Sequence, residues 1–466
     1  MSPPGDSGGG DKAAVFGPER RALTVGILLA ITAFAVEGMG VVPALPTAVR
    51  ELGGLPLFGW AFSAFMLAWM VGTVSGGQLA DARGPRLPMA FGLVAFGAGL
   101  LCAGAAHGMA QFLVGRALQG SGGGAMIASA YVAIARGYPD AMRPRMMALT
   151  SSVWILPAVV GPALSGAIAQ WVGWRYVFFG IVPLLALTAL LVLPPLRRFD
   201  VTQPLAGTAR LVAALRVALG SALVLASPLA RPWGWAATVG VGAIGFALLA
   251  PALGALLPAG TLRARRGLPA GLAARALLAF SFFGTEAFVP LASGVLRGAA
   301  PTDAGLALTA GAIGWVTASW AQDRLEARRG AAGRPRRVGW GFALVAAGIL
   351  LVAVTLLTAL PIILIPIGWA IGGAGIGLAY AAGGLVCIAA APAGQEGEVS
   401  GQLQLAEALS TASATGIGGA LVAALAHLGR TPRQAYPAVF ATTLAAALIG
   451  AAMAGRLGAK RVAAKG

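Results

Sequence analysis

The chain has 466 residues, 58% of them hydrophobic and 10% charged, with a mean hydropathy of +0.83. An ordinary soluble domain is about half apolar and about 25% charged, and a water-soluble enzyme of this size has no means of hiding so much apolar surface. The composition therefore excludes a cytosolic globular protein and a disordered one, and leaves an integral membrane protein with many helices. Lys+Arg number 33 against 15 Asp+Glu, a net charge of +18. In a soluble chain that balance would suggest nucleic acid. In a membrane chain it is the expected excess of Arg and Lys in cytoplasmic loops.

Residues 1–19, rich in Gly, Pro and charge, read as a disordered cytoplasmic tail. Arg20 and Arg21 then precede an apolar run at 22–49, longer than a secretory signal core and long enough to cross a bilayer. Further spans follow at 57–80, 87–106, 109–135, 146–170 and 176–194, then at 208–228 and 233–257. The last six run at 270–296, 304–322, 338–357, 361–390, 399–427 and 434–456. The reading is an all-α membrane protein of fourteen helices in the pattern six, two, six. Its units are a first bundle at 20–195, two extra helices at 196–262, a second bundle at 263–457 and a cytoplasmic tail at 458–466. The run at 208–228 is the weakest, because Arg210 and Arg216 sit in its first half; an amphipathic surface helix competes there.

With the N-terminus inside, 24 of the 33 basic residues fall on cytoplasmic segments. Six fall on outer loops: Arg50, Arg175, Arg231, Arg297, Arg430 and Arg433. Arg116, Arg216 and Arg275 lie within or at the edge of helices. That bias satisfies the positive-inside rule and puts both termini in the cytoplasm. The cluster Arg324, Arg328, Arg329, Arg334, Arg336 and Arg337 then reads as an anchoring loop, with no nucleic acid implied. Cys102 and Cys387 lie in apolar runs, and His107 and His427 lie near helix ends, so neither a disulfide framework nor a metal site follows. No cofactor is called for. The three lysines, Lys12, Lys460 and Lys465, follow no glycine-rich loop, so ATP hydrolysis by a phosphate-binding loop is excluded.

A faint internal repeat is visible. Phe34-Ala-Val-Glu37 in the first helix is echoed by Phe283-Gly-Thr-Glu286 in the first helix of the last six, with Pro43 and Pro290 following. Weak symmetry between halves is typical of transporters. Of the 15 acids, Glu37, Glu286 and Glu407 lie well within spans. A carboxylate in hydrocarbon tends to take up a proton, which makes it a proton carrier where water reaches it from either side in turn. Glu37 lies about 18 Å, and Arg116 about 10 Å, from the outer ends of their helices. An arginine side chain closes that difference, so the two are expected to pair, and Glu286 is the second proton-coupling candidate. Glu407 heads a polar face with Gln404, Thr411 and Thr415 that reads as cavity lining for a small-molecule substrate, with Trp154 and Tyr380 adding aromatic surface. Hydrogen bonding between packed helices explains Gln404, Thr411 and Thr415 equally well.

Three segments carry a family resemblance. The loop Gly77-Gln-Leu-Ala-Asp81-Ala-Arg83-Gly84-Pro-Arg86 is a polar hairpin able to latch neighbouring helices. It resembles the signature loop of the major facilitator superfamily, departing from it at Ala82 and Pro85. Asp323-Arg324 is its degenerate copy in the second half. The fourth helix holds Arg116-Ala-Leu-Gln119-Gly120, similar to a superfamily motif tied to proton coupling. The fifth holds Pro157-Ala-Val-Val-Gly161-Pro162-Ala-Leu-Ser165-Gly166, which resembles the antiporter motif of exporters, with Pro157 and Ser165 replacing two of its glycines. The resemblance extends over the chain and points to the fourteen-helix drug:proton antiporter branch. It implies two six-helix bundles, alternating access, protons exchanged for small amphipathic or hydrophobic cargo, a monomer, and a place in the cell membrane. Export of a self-made metabolite or a lipid is the alternative within transport, and a non-transporting membrane sensor the alternative outside it. No loop is large enough for a catalytic domain, so an enzyme is not expected.

Overall fold

The computed structural model describes residues 15–458 except 202, 205, 206, 393 and 394. The expected tails fall mostly outside the described residues. The N-terminal one is shorter than expected: Val15 is buried, and its carbonyl accepts a hydrogen bond from Thr24 Oγ1 at 2.6 Å.

Fourteen long helices follow. They are α1 Arg21–Glu51, α2 Phe58–Arg83, α3 Arg86–Gly104, α4 Met109–Gly137, α5 Arg143–Gly173, α6 Arg175–Phe199, α7 Ala209–Trp233 and α8 Trp235–Leu256. The rest are α9 Leu268–Arg297, α10 Pro301–Arg329, α11 Arg334–Leu357, α12 Leu364–Ala389, α13 Glu396–His427 and α14 Pro432–Met453. Thirteen are long and apolar enough to cross a membrane. The exception is α4, whose glycines and Arg116 lower its apolarity, yet its 29 residues are packed between α2 and α3. The segment at 208–228 is helical and joins the thirteen.

Proline decides where these helices bend. Pro157 has no N–H for the carbonyl four residues back, and α5 breaks there into Arg143–Ser152 and Ile155–Ile168. A π-turn at Ala169–Gly173 ends it. Glycine decides how closely helices approach. A Cβ on Gly120 or Gly124 would stand 2.2 Å from Phe65 O or 2.4 Å from Trp69 O, so α4 lies against the bare backbone of α2. The same contact recurs between α12 and α10, where Gly373 and Gly377 meet Gly311 O and Trp315 O at 1.9 and 2.4 Å.

The two bundles meet in two seams. In one, a Cβ on Gly59 of α2 would stand 2.1 Å from Thr415 O of α13, and Ser63 Oγ donates to Ala412 O at 2.8 Å. In the other, Gly166 of α5 lies against Pro301 O, and Gly305 of α10 against Pro162 O, at 2.4 and 2.3 Å. Gln170 Oε1 accepts from Thr302 Oγ1 beside them at 2.7 Å. Both seams lie on the face where α1 ends. Toward the other face the helices keep solvent access. On α1 the half-buried positions Val25, Leu28, Thr32, Val36 and Met39 recur on one side and stop, and 40–46 are wholly buried. On α9 the series Ala273, Ala276, Phe280, Phe283 and Glu286 stops in the same way before 287–293. The bundles therefore meet backbone to backbone on the face where α1 ends, and α1 and α9 are less buried toward the other face.

The extra pair α7–α8 lies outside the bundles. Val217 of α7 and Ala252 of α8 pack on Met70 of α2, with Leu405 and Leu409 of α13 against them. Leu225 of α7 fills the space over Gly416 of α13.

Candidate functional site

Within the first bundle, Arg116 of α4 pairs with Glu37 of α1. Both are buried. Arg116 Nε donates to Ala61 O at 2.9 Å, Nη1 also meets Gln119 Oε1, and the guanidinium lies 4.4 Å from the centre of the Phe65 ring. A buried guanidinium needs such a set of acceptors, because an unpaired charge in hydrocarbon costs several kcal/mol. Glu37 Oε2 and Gln119 Nε2 keep no hydrogen-bond partner among the described residues. Glu37 is 0% exposed, so in this state it is closed to water, although its neighbours Val36 and Gly38 are not. Above the pair, Phe34 stacks on Phe65 and Trp69 and meets Trp154 edge-on.

A second ion pair lies in the second bundle, nearer the open face. Arg275 of α9 approaches Glu407 of α13 at 3.7 Å, and Tyr380 Oη donates to Glu407 Oε2 at 2.9 Å. Arg275 Nη2 donates to Tyr380 O at 3.0 Å, and its guanidinium lies over the Tyr380 ring at 3.4 Å. The sequence places Glu407 and Tyr380 in a cavity and Arg275 within or at the edge of a helix, without joining them. An arginine seven residues inside a span, with an acid available on another helix, was the signal. Gln404 is exposed and Glu407 half-buried on α13, whereas Thr411 and Thr415, further along the same face, are buried. Thr415 sits in the seam, 3.2 Å from Ser63 Oγ.

Glu286 is half-buried and lies beside the Trp369 indole of α12. The indole Nε1 meets no partner at hydrogen-bonding geometry among the described residues. Matching the α4–α2 and α12–α10 glycine contacts puts Trp369 where Arg116 stands, since each lies four residues before the first glycine of its pair. Phe283 lies on Trp315 as Phe34 lies on Trp69, with ring centres 6.0 and 6.3 Å apart. Glu286 is thus the counterpart of Glu37, with an indole in place of the guanidinium.

The antiporter-like segment forms the α5 side of a seam: Gly166 and Pro162 make the close approaches above, and Ser165 Oγ donates to Gly40 O of α1. Pro157 is buried, and Gly161 is 3.7 Å from Met39 Cβ for a Cβ built on it. The loop from Gly77 to Arg86 is held from the side. It is the Asp81 carbonyl that accepts from Arg136 Nη2, at 3.1 Å. Gln203 N donates to Ala82 O at 2.9 Å, Val201 N donates to Arg83 O at 3.5 Å, and Arg86 pairs with Asp200 at 3.4 Å. Gly84 has φ +85°, and a Cβ there would stand 2.4 Å from Phe199 O. Gly77 has open space around it. In the second half the charged cluster is built on Glu326, which pairs with Arg334 and Arg337. Asp323-Arg324 carries no such pair among the described residues.

Two six-helix bundles closing on a shared axis, with buried ion pairs and an opening toward one face, define a multi-pass membrane transporter. A family model described as Major Facilitator Superfamily matches residues 23–415, and the chain belongs to that family. It is a transporter, not an enzyme. The chain is 34% identical over 166 residues to Multidrug resistance protein 3 of Bacillus subtilis (strain 168), covering 36% of this chain and 32% of that protein. It is 31% identical over 326 residues to an uncharacterized MFS-type transporter of Mycobacterium tuberculosis (strain ATCC 25618 / H37Rv), covering 66% of this chain and 46% of the relative. The matches thus span a third to a half of these relatives' lengths. Among solved structures, a POT family transporter in complex with a thioalcohol conjugated peptide aligns with a TM-score of 0.68 at 14% identity, covering 94% of this chain and 96% of that one. That likeness concerns the fold alone.

Proposed function

We propose that the chain is a proton-coupled exporter of small amphipathic or hydrophobic compounds, working by alternating access in the cell membrane with both termini cytoplasmic. The observation that carries the reading is the buried Glu37–Arg116 pair, which ties α1 to α4 beside the crevice. A carboxylate held out of water by one arginine has two stable states, paired and charged or protonated and released. Protonation removes the reason for Arg116 to stay, and α1 and α4 are then free to shift. Because Glu37 is closed to water in the present state, its proton arrives or leaves only when the seams open. Names given to relatives, among them a multidrug resistance protein and a probable multidrug-efflux transporter of Mycobacterium tuberculosis, support export of foreign compounds. The basic loops on the open face support an inward-open state.

The test is Glu37→Gln in proteoliposomes with an imposed pH gradient and a fluorescent lipophilic dye as cargo. Gradient-driven dye movement is expected to be lost. Movement at the wild-type rate removes the coupling assignment.

A further inference from the structure

We infer that a cavity at the rim of the second bundle binds the phosphate headgroup of an anionic phospholipid through Arg297 and Arg433. The cavity measures about 580 Å³ and lies where α9 ends, α11 ends and α14 begins. Ligand pockets commonly run from about 300 to 1,000 Å³. Arg297, in the last turn of α9, and Arg433, in the first turn of α14, stand in its wall, and no acid is among its lining residues. Neither guanidinium has a carboxylate partner among the described residues. On the same face of the first bundle Arg175 does have one, in Glu51. The positive charge of the second rim is left for a ligand to balance.

Backbone holds the two arginines in place. Arg297 Nη1 donates to Thr355 O and to Thr358 O, the second at 2.8 Å, and its Nη2 donates to Leu360 O at 2.8 Å. Arg433 Nη2 donates to Leu357 O at 3.2 Å. The carbonyl end of a helix carries only about half an elementary negative charge, so most of the two positive charges stays uncompensated. Arg433 keeps Nε and Nη1 for a ligand, and a guanidinium fork matches two oxygens of a phosphate. The rest of the cavity points to a lipid as the source of that phosphate. Val295, Leu296, Ala359 and Pro432 make part of its wall apolar. From Thr358, which also lines it, exposed positions recur down α11 at Val354, Leu350, Ala347 and Ala343. On a helix long and apolar enough to cross a membrane, that stripe is a track for acyl chains below the headgroup. A choline headgroup would bring its own cation back against two arginines, so a headgroup of net negative charge is selected.

Brominated lipids read occupancy at this place. The full chain carries a bimane dye on Val354→Cys, one turn below the cavity, in a Cys102→Ala background, with Cys387 buried. In nanodiscs of phosphatidylcholine, dibrominated phosphatidylglycerol at low mole fraction is expected to quench the dye more strongly than dibrominated phosphatidylcholine. Arg433→Gln should lower that preference about fivefold, the factor one basic residue contributes beside an anionic lipid. Arg433→Lys keeps the charge and should quench close to wild type. Inorganic phosphate at saturating concentration should not relieve the quenching. Equal quenching by the two lipids, or a preference that Arg433→Gln leaves unchanged, overturns the inference. So does an Arg433→Lys protein as weak as the Gln variant, because the loss would then follow the structure of the rim and not its charge. Relief by inorganic phosphate would give the site to a soluble ion and overturn the lipid assignment. The measurement uses neither cargo nor gradient, so its outcome is independent of the Glu37→Gln efflux test.

Discussion

Gly166→Ala probes the seam between α5 and α10. The added Cβ would stand 2.4 Å from Pro301 O, 3.0 Å from its carbonyl carbon and 3.2 Å from Thr302 Cα. All three atoms are backbone, so no rotamer relieves the clash, and carbon prefers about 3.5 Å or more from such neighbours. The helices must part by about 1 Å on the sealed face. Overpacking of this kind costs about 1–3 kcal/mol, and here the cost falls on the sealed state alone. The equilibrium should move toward the unsealed state by a factor of about 5 to 150. The assay is maleimide labelling of Ser63→Cys in a Cys102→Ala background. Ser63 is 0% exposed in the other seam, and Cys387 is itself buried. Labelling should accelerate by the same factor if the bundles rock as rigid bodies and both seams open together. No acceleration at position 63 would show that the strain relaxes locally, and the two-seam account would fail.

Arg116→Met leaves the Glu37 carboxylate buried without its cation and should lower stability by about 3–5 kcal/mol; thermal unfolding in micelles reads it, and adding Glu37→Gln should restore part of the loss. Simple additivity of the two changes would contradict the pair. Gly84→Ala forces a side chain into a glycine-only backbone region and against Phe199 O, and should cost about 1–3 kcal/mol. Faster proteolysis of the segment after α6 is the expected sign, and an unchanged digestion pattern would mean that the contacts of Phe199, Asp200, Val201 and Gln203 are not held by this turn.

The helices were legible because lipid imposes length and apolarity on each crossing. Even α4 was legible, since Gly108 before it and Arg136 at its end bound a run that glycine makes less apolar. The Glu37–Arg116 pair was legible too, because depth along a straight helix follows from residue counting. What stayed hidden depends on the partner surface. Gly59, Gly166 and Gly305 look like any of the 69 glycines in the chain until the opposing backbone is known. Nothing in the sequence tells which way Arg275, within or at the edge of its helix, turns, and the structure turns it inward to Glu407. The signature-like loop reads as a latch between helices, and the contacts that hold it, from Arg136 to the Asp81 carbonyl and from the Val201 and Gln203 amides to the Arg83 and Ala82 carbonyls, involve backbone that the motif does not specify.

The two bundles repeat one helix packing but differ at one residue, and that difference organises the crevice. In the first bundle arginine neutralises the acid inside the protein, so the surrounding helices close over it and water is excluded. In the second, tryptophan occupies the same position, so Glu286 has an indole and no guanidinium beside it. A buried charge is tolerated only with a partner, and the first bundle supplies that partner within the protein.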